Sequence, residues 1–311
     1  MSFENFLGEL HVDADARAKV APPPGAVDCA VTLTSLDGEQ ATDGLPEHPP
    51  HAYRELQEDL GLARAVLVQQ DAPGADVEFL LRAKAALAAS PDGLLEDCAR
   101  AFATLGPGED PKRLAELAEA GIDGLRLDML RGRLTCPWEE LDRHVRRIYD
   151  VVGWSREIAL DGSDLHELEQ KMRDWPGQTI LADCGGFRFS RCLTQPGFRA
   201  LRRLIDRGRF WVKLSRPYAI SKTGDPEDAE VCALARALAD WAPERMLWGS
   251  GWPHLERPGE TRVGEEQDPA DRALLELLAE WAPSREVRTR ILLRNPEELY
   301  GFALWPVAPD D

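Results

Sequence analysis

Eight times along this chain of 311 residues, a short aliphatic or β-branched run is followed by a longer stretch whose apolar residues recur at helical spacing. That alternation limits the fold more than any other feature. The strand runs fall at 27–32, 64–69, 94–102, 124–128, 155–160, 178–183, 210–214 and 246–249. The helical stretches lie near 50–60, 76–89, 111–120, 138–151, 164–174, 196–207, 227–241 and 269–281. Strands and helices in strict alternation call for parallel strands joined by crossover helices, and eight such units close on themselves. The expected fold class is therefore α/β, a (β/α)8 TIM barrel. An open doubly wound sheet is the alternative that the same alternation permits.

The helix signals read mostly as scaffold. Leu114, Leu117 and Ala118, and again Leu274, Leu277 and Leu278, make stripes that pack on a sheet. Asp164 or Ser163 is placed to cap a helix beginning at Leu165, and Pro226 suits a first helical turn. The prolines of APPPGA separate an amino-terminal extension, 1–21, from a barrel over 22–302, and a tail occupies 303–311. The acidic, glycine- and proline-containing stretch from Glu256 to Pro269 interrupts the last strand-to-helix connection, where it reads equally as a lid or as an exposed loop.

Composition narrows the partners. With 55 Asp and Glu against 37 Lys and Arg, the net charge of -18 argues against a general nucleic-acid binder. A local basic pocket for an acidic small molecule stays compatible with it. The six cysteines are scattered, without the paired spacing of a structural zinc site. There is no signal-peptide pattern and no spanning run, so the expectation is a reduced, cytoplasmic protein with no membrane partner. Self-association is not legible.

The ends of the strand runs carry an ordered set of motifs: PPPGAVDC at the first, GIDGLRLD at the fourth, GW and LDG framing the fifth, and ADCGG at the sixth. WVKLSRPY follows at the seventh, MLWGSGWPH at the eighth, and LLRNPEELYGF closes the series. Over about residues 22 to 302 the chain thus resembles the amidohydrolase-related family, in particular its pyrone-dicarboxylate lactonase branch. The resemblance implies a barrel with its active site at the strand ends, usually a hydrolase and in other branches a decarboxylase.

Several positions depart from the family pattern. The first-strand Asp-x-His-x-His reads here Asp28, Cys29, Ala30, Val31, Thr32, without either imidazole. The sixth-strand Asp-His-Met-Gly reads Asp183, Cys184, Gly185, Gly186, and after GW stand Ser155, Arg156 and Glu157. The eighth-strand Trp-Gly-Thr-Asp-Trp-Pro-His reads Trp248, Gly249, Ser250, Gly251, Trp252, Pro253, His254. Ala30 and Gly251 offer no donor atoms, so neither a family metal centre nor any other cofactor is expected. In the resembling lactonases the eighth-strand carboxylate is the general base, and Gly251 cannot take its place.

A replacement site has to come from other strand-end groups. Arg126 suits bidentate contact with a carboxylate, or a structural ion pair, and Arg216 with Tyr218 forms another polar cluster. Lys213 reads as a structural pair. Asp128, Glu157 and His254 are the candidates for proton transfer, although the facing of Glu157 is open. Trp252 can stack on a flat ligand, Cys184 reads as core rather than nucleophile, and His11, His48, His51, His144 and His166 receive no catalytic role. Arg126, Glu157, Arg216, Tyr218 and His254 are expected to meet at one mouth. The leading functional reading is a metal-independent, amidohydrolase-like enzyme acting on an acidic, cyclic small molecule by lactone hydrolysis or a related cyclisation or elimination. The alternative is an inactive barrel that binds a ligand or regulates a partner.

Overall fold

A computed structural model describes residues 20–39, 41, 46–69, 76–89, 97–130, 134–188, 192–255 and 270–306. Most of the amino-terminal extension, the Glu256–Pro269 stretch and the end of the tail lie outside the described residues.

The strands are β1 (Val27–Val31), β2 (Arg64–Val68), β3 (Ala99–Thr104), β4 (Gly124–Asp128), β5 (Ser155–Ala159), β6 (Thr179–Leu181), β7 (Phe210–Ser215) and β8 (Met246–Gly249). They form one eight-stranded sheet in sequential order, and every recorded neighbour pair is parallel. The seam between first and last strands is closed at its upper end. There Gly251 N–H donates to the Ala30 carbonyl at 3.0 Å and Thr32 N–H to the Trp252 carbonyl at 2.9 Å. Gly249 lies so near Ala30 that a Cβ on it would collide with the Ala30 methyl. This is the expected barrel; the open sheet is not found.

The covering helices are α1 (Pro50–Leu60), α2 (Val77–Ala88), α3 (Pro111–Ala120), α4 (Leu141–Val152), α5 (Leu165–Met172), α6 (Pro196–Ile205), the short α7 (Pro217–Ile220), α8 (Ala229–Trp241) and α9 (Asp271–Trp281). Beyond them α10 (Arg285–Thr289) runs through a π-helical turn (Arg290–Arg294) into α11 (Asn295–Tyr300), a carboxyl-terminal unit the periodicity does not announce. Two cap expectations change. Asp161, rather than Ser163 or Asp164, caps the turn ahead of α5 by accepting Ser163 N–H at 2.9 Å. Asp228 caps α8 through Glu230 N–H at 2.9 Å, which starts that helix three residues after Pro226. The third strand begins at Ala99, where it pairs with Ala65, and extends to Thr104, later than expected. The sixth ends at Leu181, because Asp183 turns the chain with a left-handed φ of 50°.

Strand alternation splits the core in two. Outward residues such as Leu67, Leu125, Ile158 and Val212 pack with helix residues including Leu114, Leu117, Leu274 and Leu278. Inward residues Val27, Cys29, Val66, Phe102, Ile180, Trp211 and Leu247 fill the barrel with Tyr300 and Phe302 from the chain end. That end covers the amino-terminal mouth: Arg64, first residue of β2, bonds the Ala303 carbonyl at 2.8 Å, and Arg100 bonds the Tyr300 carbonyl at 2.9 Å. The opposite mouth is left to the strand ends.

Candidate active site at the carboxyl-terminal mouth

Inward facing is inherited from strand to strand. Phe102 lies inside the barrel and pairs with Gly124, so Arg126 and Asp128, two and four residues on, also face inward. Arg126 pairs with Glu157, Glu157 with Ile180, Ile180 with Trp211 and Lys213 with Leu247. The facing of Glu157 is thereby settled: it points into the barrel. Arg126 Nη1 donates to Glu157 Oε1 at 2.6 Å, and Lys213 Nζ donates to Glu157 Oε2. All three side chains are at most 3% exposed. With both oxygens engaged by cations, Glu157 is a counter-ion. Arg126 is less well supplied: among the described residues its buried Nε and Nη2 have no hydrogen-bond partner. Buried guanidinium donors without a protein partner are costly, which sets Arg126 apart from the fully engaged Glu157.

A second set of contacts spans the rims of β6, β7 and β8. Asp183 accepts Ser215 Oγ at 3.3 Å and Arg216 Nη1 at 3.5 Å. Arg216 also donates from Nη2 to the Leu255 carbonyl at 3.2 Å and from Nε to Tyr218 Oη at 3.3 Å. Tyr218 Oη lies 2.9 Å from His254 Nδ1, and His254 Nε2 lies 3.0 Å from Asp271 Oδ1 at the start of α9. A carboxylate only accepts, so Nε2 carries the proton in the neutral ring and Nδ1 accepts from the tyrosine hydroxyl. The result is a continuous line from carboxylate through imidazole to phenol, with a guanidinium beside the phenol.

Backbone conformation marks the same place. Four non-glycine residues with left-handed φ occur among the described residues: Asp183 at 50°, Cys184 at 52°, Arg216 at 47° and His254 at 62°. Each such residue costs about 1–3 kcal/mol and persists only where its surroundings enforce it. All four stand at the ends of three adjacent strands.

A family model described as Amidohydrolase matches residues 37–302. The chain belongs to the amidohydrolase family. It is 31% identical over 239 residues to the D-galactarolactone isomerase of Agrobacterium fabrum, covering 75% of this chain and 77% of that protein. To the 4-sulfomuconolactone hydrolase of Hydrogenophaga intermedia it is 29% identical over 258 residues, 82% of this chain and 80% of the relative. An apo crystal structure from Agrobacterium tumefaciens matches with a TM-score of 0.75 at 28% identity, covering 92% of this chain and 98% of that one.

Within this amidohydrolase, the positions where the family pattern places metal donors do not fit a metal. Ala30 and Gly251 have no donor side chain. Thr32 Oγ1 donates to the Val68 carbonyl at 2.9 Å, and Cys184 Sγ lies 3.8 Å from the Ser215 carbonyl. Cys184 is fully buried, and burial pushes its thiol far above the usual range, so it is held as a neutral thiol. Among the described residues no three His, Cys, Asp or Glu side chains are grouped to hold an ion.

The expected site residues thus appear in two hydrogen-bonded sets at the carboxyl-terminal ends of the strands. Arg126 and Glu157 share the inner ion cluster with Lys213, while Arg216, Tyr218 and His254 share the rim network. Asp128 ends β4, with its Oδ1 accepting Leu130 N–H at 3.1 Å. Trp252 turns to protein rings, Tyr53 at 5.3 Å and His48 at 5.4 Å between centroids. Sequence reasoning misses Asp183 and Asp271. Asp183 is hidden in a motif whose evident feature is its missing histidine, and Asp271 resembles any acid in a first helical turn. Asp28 escapes it as well. This residue is fully buried on β1, and burial raises its carboxyl to about 6 despite hydrogen bonds from Ser250 and Ala30 that pull the other way.

Proposed function

We propose that this amidohydrolase is an acid–base enzyme that hydrolyses, or otherwise opens and recloses, a lactone-type ring bearing a carboxylate. The observation that carries the reading is the Tyr218–His254–Asp271 line, and where it ends. A Cβ built on Gly251 would collide with Arg216 Cγ and would lie 3.2 Å from Tyr218 Oη. The space beside the missing eighth-strand acid is thus taken by the Arg216 side chain, with the Tyr218 hydroxyl next to it and a base behind that hydroxyl. The relatives named above are a lactone isomerase and a lactone hydrolase, which supports the ring chemistry.

Arg126 supplies Nε and Nη2 to a ring carboxylate, with Arg216 as the other cation at the mouth. Tyr218 Oη takes a proton from water as it attacks the lactone carbonyl, and passes its own proton to His254 Nδ1. Asp271 stabilises the imidazolium that results, and Arg216 stabilises negative charge on the phenol oxygen. The new bond joins the water oxygen to the acyl carbon; the ring C–O bond breaks, and the departing oxygen recovers the proton held by the Tyr218–His254 pair. Glu157 and Lys213 hold Arg126 in place.

The test is turnover of D-galactarolactone, 4-sulfomuconolactone and 2-pyrone-4,6-dicarboxylate by the full chain, with and without chelator. One compound should be converted in both conditions, and Tyr218→Phe should slow that conversion by about 10²–10⁴-fold with binding kept. Unchanged turnover in Tyr218→Phe would reject the proton path. Tight binding without conversion of any of the three would favour the inactive, ligand-binding barrel.

A further inference from the structure

We infer that Asp28 and Ser250 are positioning residues: a buried lock, outside the barrel interior, that holds the post-β8 loop in the conformation that presents His254 to Tyr218. Asp28 pairs in register with Ala65, a member of the outer core, so its carboxylate lies on the helix side of β1. It is completely buried. Its Oδ1 accepts Ala30 N–H at 3.1 Å and Ser250 N–H at 2.9 Å. Its Oδ2 accepts Ser250 Oγ–H at 2.6 Å and Tyr53 Oη–H at 3.3 Å.

From Ser250 the constraint passes along the loop. Ser250 Oγ accepts Trp252 N–H at 3.0 Å, and His254 N–H donates to the Gly251 carbonyl at 2.9 Å. The seam bonds of Gly251 and Trp252 to the end of β1 fix the same peptides from the other side. A buried carboxylate is an expensive way to fill space, and an apolar residue would do that better. What it does that an apolar residue cannot is accept four donors from β1, α1 and the loop together. The loop needs such a hold because His254 sits at a left-handed φ of 62°, a conformation its own preferences oppose. Neither Asp28 nor Ser250 bonds Tyr218 or the His254 ring in any recorded hydrogen bond, so the pair acts through the loop.

The consequence for chemistry rests on the proton path proposed above, whereas the positioning itself can be read without turnover. The full chain is labelled with 15N-histidine, and the His254 ring signals are identified by their loss in His254→Gln. In Ser250→Ala the protein should still unfold cooperatively, but the His254 signals should lose the single Nε2–H tautomer pattern. On whichever lactone the wild type converts, kcat should fall between about 10- and 100-fold with KM little changed, and Ser250→Thr should restore both readouts. Leu114→Ala, a core truncation in α3, serves as a control for lost stability and should leave the His254 signals as in the wild type. An unaltered His254 spectrum in Ser250→Ala, or an equal change in Leu114→Ala, overturns the inference. A changed spectrum with unchanged kcat keeps the lock and rejects the proton path instead.

Discussion

Two arginines buried to the same depth, one at each end of the barrel, are treated in opposite ways. Arg64 at the amino-terminal mouth is 2% exposed and uses every guanidinium nitrogen: Nε to the Gly25 carbonyl at 2.8 Å, Nη1 to the Ala303 carbonyl at 2.8 Å, and Nη2 to Glu297 at 2.9 Å. Arg126, toward the other mouth, is 1% exposed and among the described residues bonds Glu157 alone, with no partner there for Nε or Nη2. A buried donor without a partner lowers stability, so the fold gains nothing from leaving Arg126 in this state. Arg64 is fully bonded within the protein, whereas Arg126 is the arginine we propose a ligand carboxylate engages. The backbone draws the same distinction, since the described left-handed non-glycine residues all stand at the Arg126 end.

The largest effect should come from breaking the fully bonded end. Arg64→Leu removes three hydrogen bonds and leaves Glu297, whose side chain is 1% exposed, with Arg294 as its remaining cation. Losing one member of a buried pair costs about 3–5 kcal/mol, and the Arg294 contact places the expected loss near about 3 kcal/mol in urea unfolding. A loss below about 1 kcal/mol would mean that full hydrogen bonding does not mark a structural role here.

Next comes a carboxylate that is fully bonded and still perturbed. Asp28 has its folded-state pKa raised to about 6 from 3.8. The folded state therefore holds the proton more tightly than the unfolded chain does. The associated stabilisation is complete below about pH 4 and is lost as pH rises through 6, a change of about 3 kcal/mol by linkage. Asp28→Asn cannot ionise, so its stability relative to wild type should climb by up to that amount between pH 4 and 7. Parallel stability curves for the two proteins would show that burial does not dominate at this carboxylate.

How much of this contrast is legible in the chain alone depends on distance along it. The strands are legible because each is a local run, and β4, β8, α1 and α3 have the bounds that periodicity assigns. The last helices are not, because the π-turn at Arg290–Arg294 breaks the 3.6-residue repeat on which such readings depend. Arg126, Arg216, Tyr218 and His254 are legible as polar residues at strand ends. Which of them meet is not, since the Arg126–Glu157 pair follows from strand register and the partner of His254 is Asp271, which lies 17 positions beyond it. Asp28 shares its spacing with the family's histidine positions, yet an irregularity in the β1–β2 register between Asp28 and Val31 leaves it facing the helices. No spacing rule could have foreseen that.

Arg126→Gln addresses the other end. Because Lys213 still neutralises Glu157 and two unpartnered donors disappear, its stability loss should be clearly smaller than that of Arg64→Leu. Its affinity for a carboxylated ring should fall by about 100-fold, the worth of two hydrogen bonds to a charged group in a buried site. Calorimetric titration with 2-pyrone-4,6-dicarboxylate measures this directly. If instead the variant binds as the wild type does while unfolding as easily as Arg64→Leu, the two arginines are alike and the contrast between the mouths fails.

The smallest effect is expected at Cys184, which shares the strained mouth without sharing its chemistry. The thiol is fully buried and held neutral by that burial, and its recorded bond is to the Ser215 carbonyl at 3.8 Å. A nucleophilic cysteine needs the opposite, an accessible sulfur with its thiolate stabilised. Cys184→Ser keeps a donor for the same carbonyl and exchanges a sulfur for a smaller oxygen, so stability should fall by no more than about 1–2 kcal/mol. Single-turnover rates should stay within about twofold of wild type, whereas His254→Gln, which removes a nitrogen from the proton line, should reduce the proton-dependent step by about 10²-fold or more. Intact-mass measurement during turnover distinguishes the two routes, because a substrate adduct on Cys184 would make the sulfur, rather than the Tyr218–His254–Asp271 line, the reacting group at this mouth.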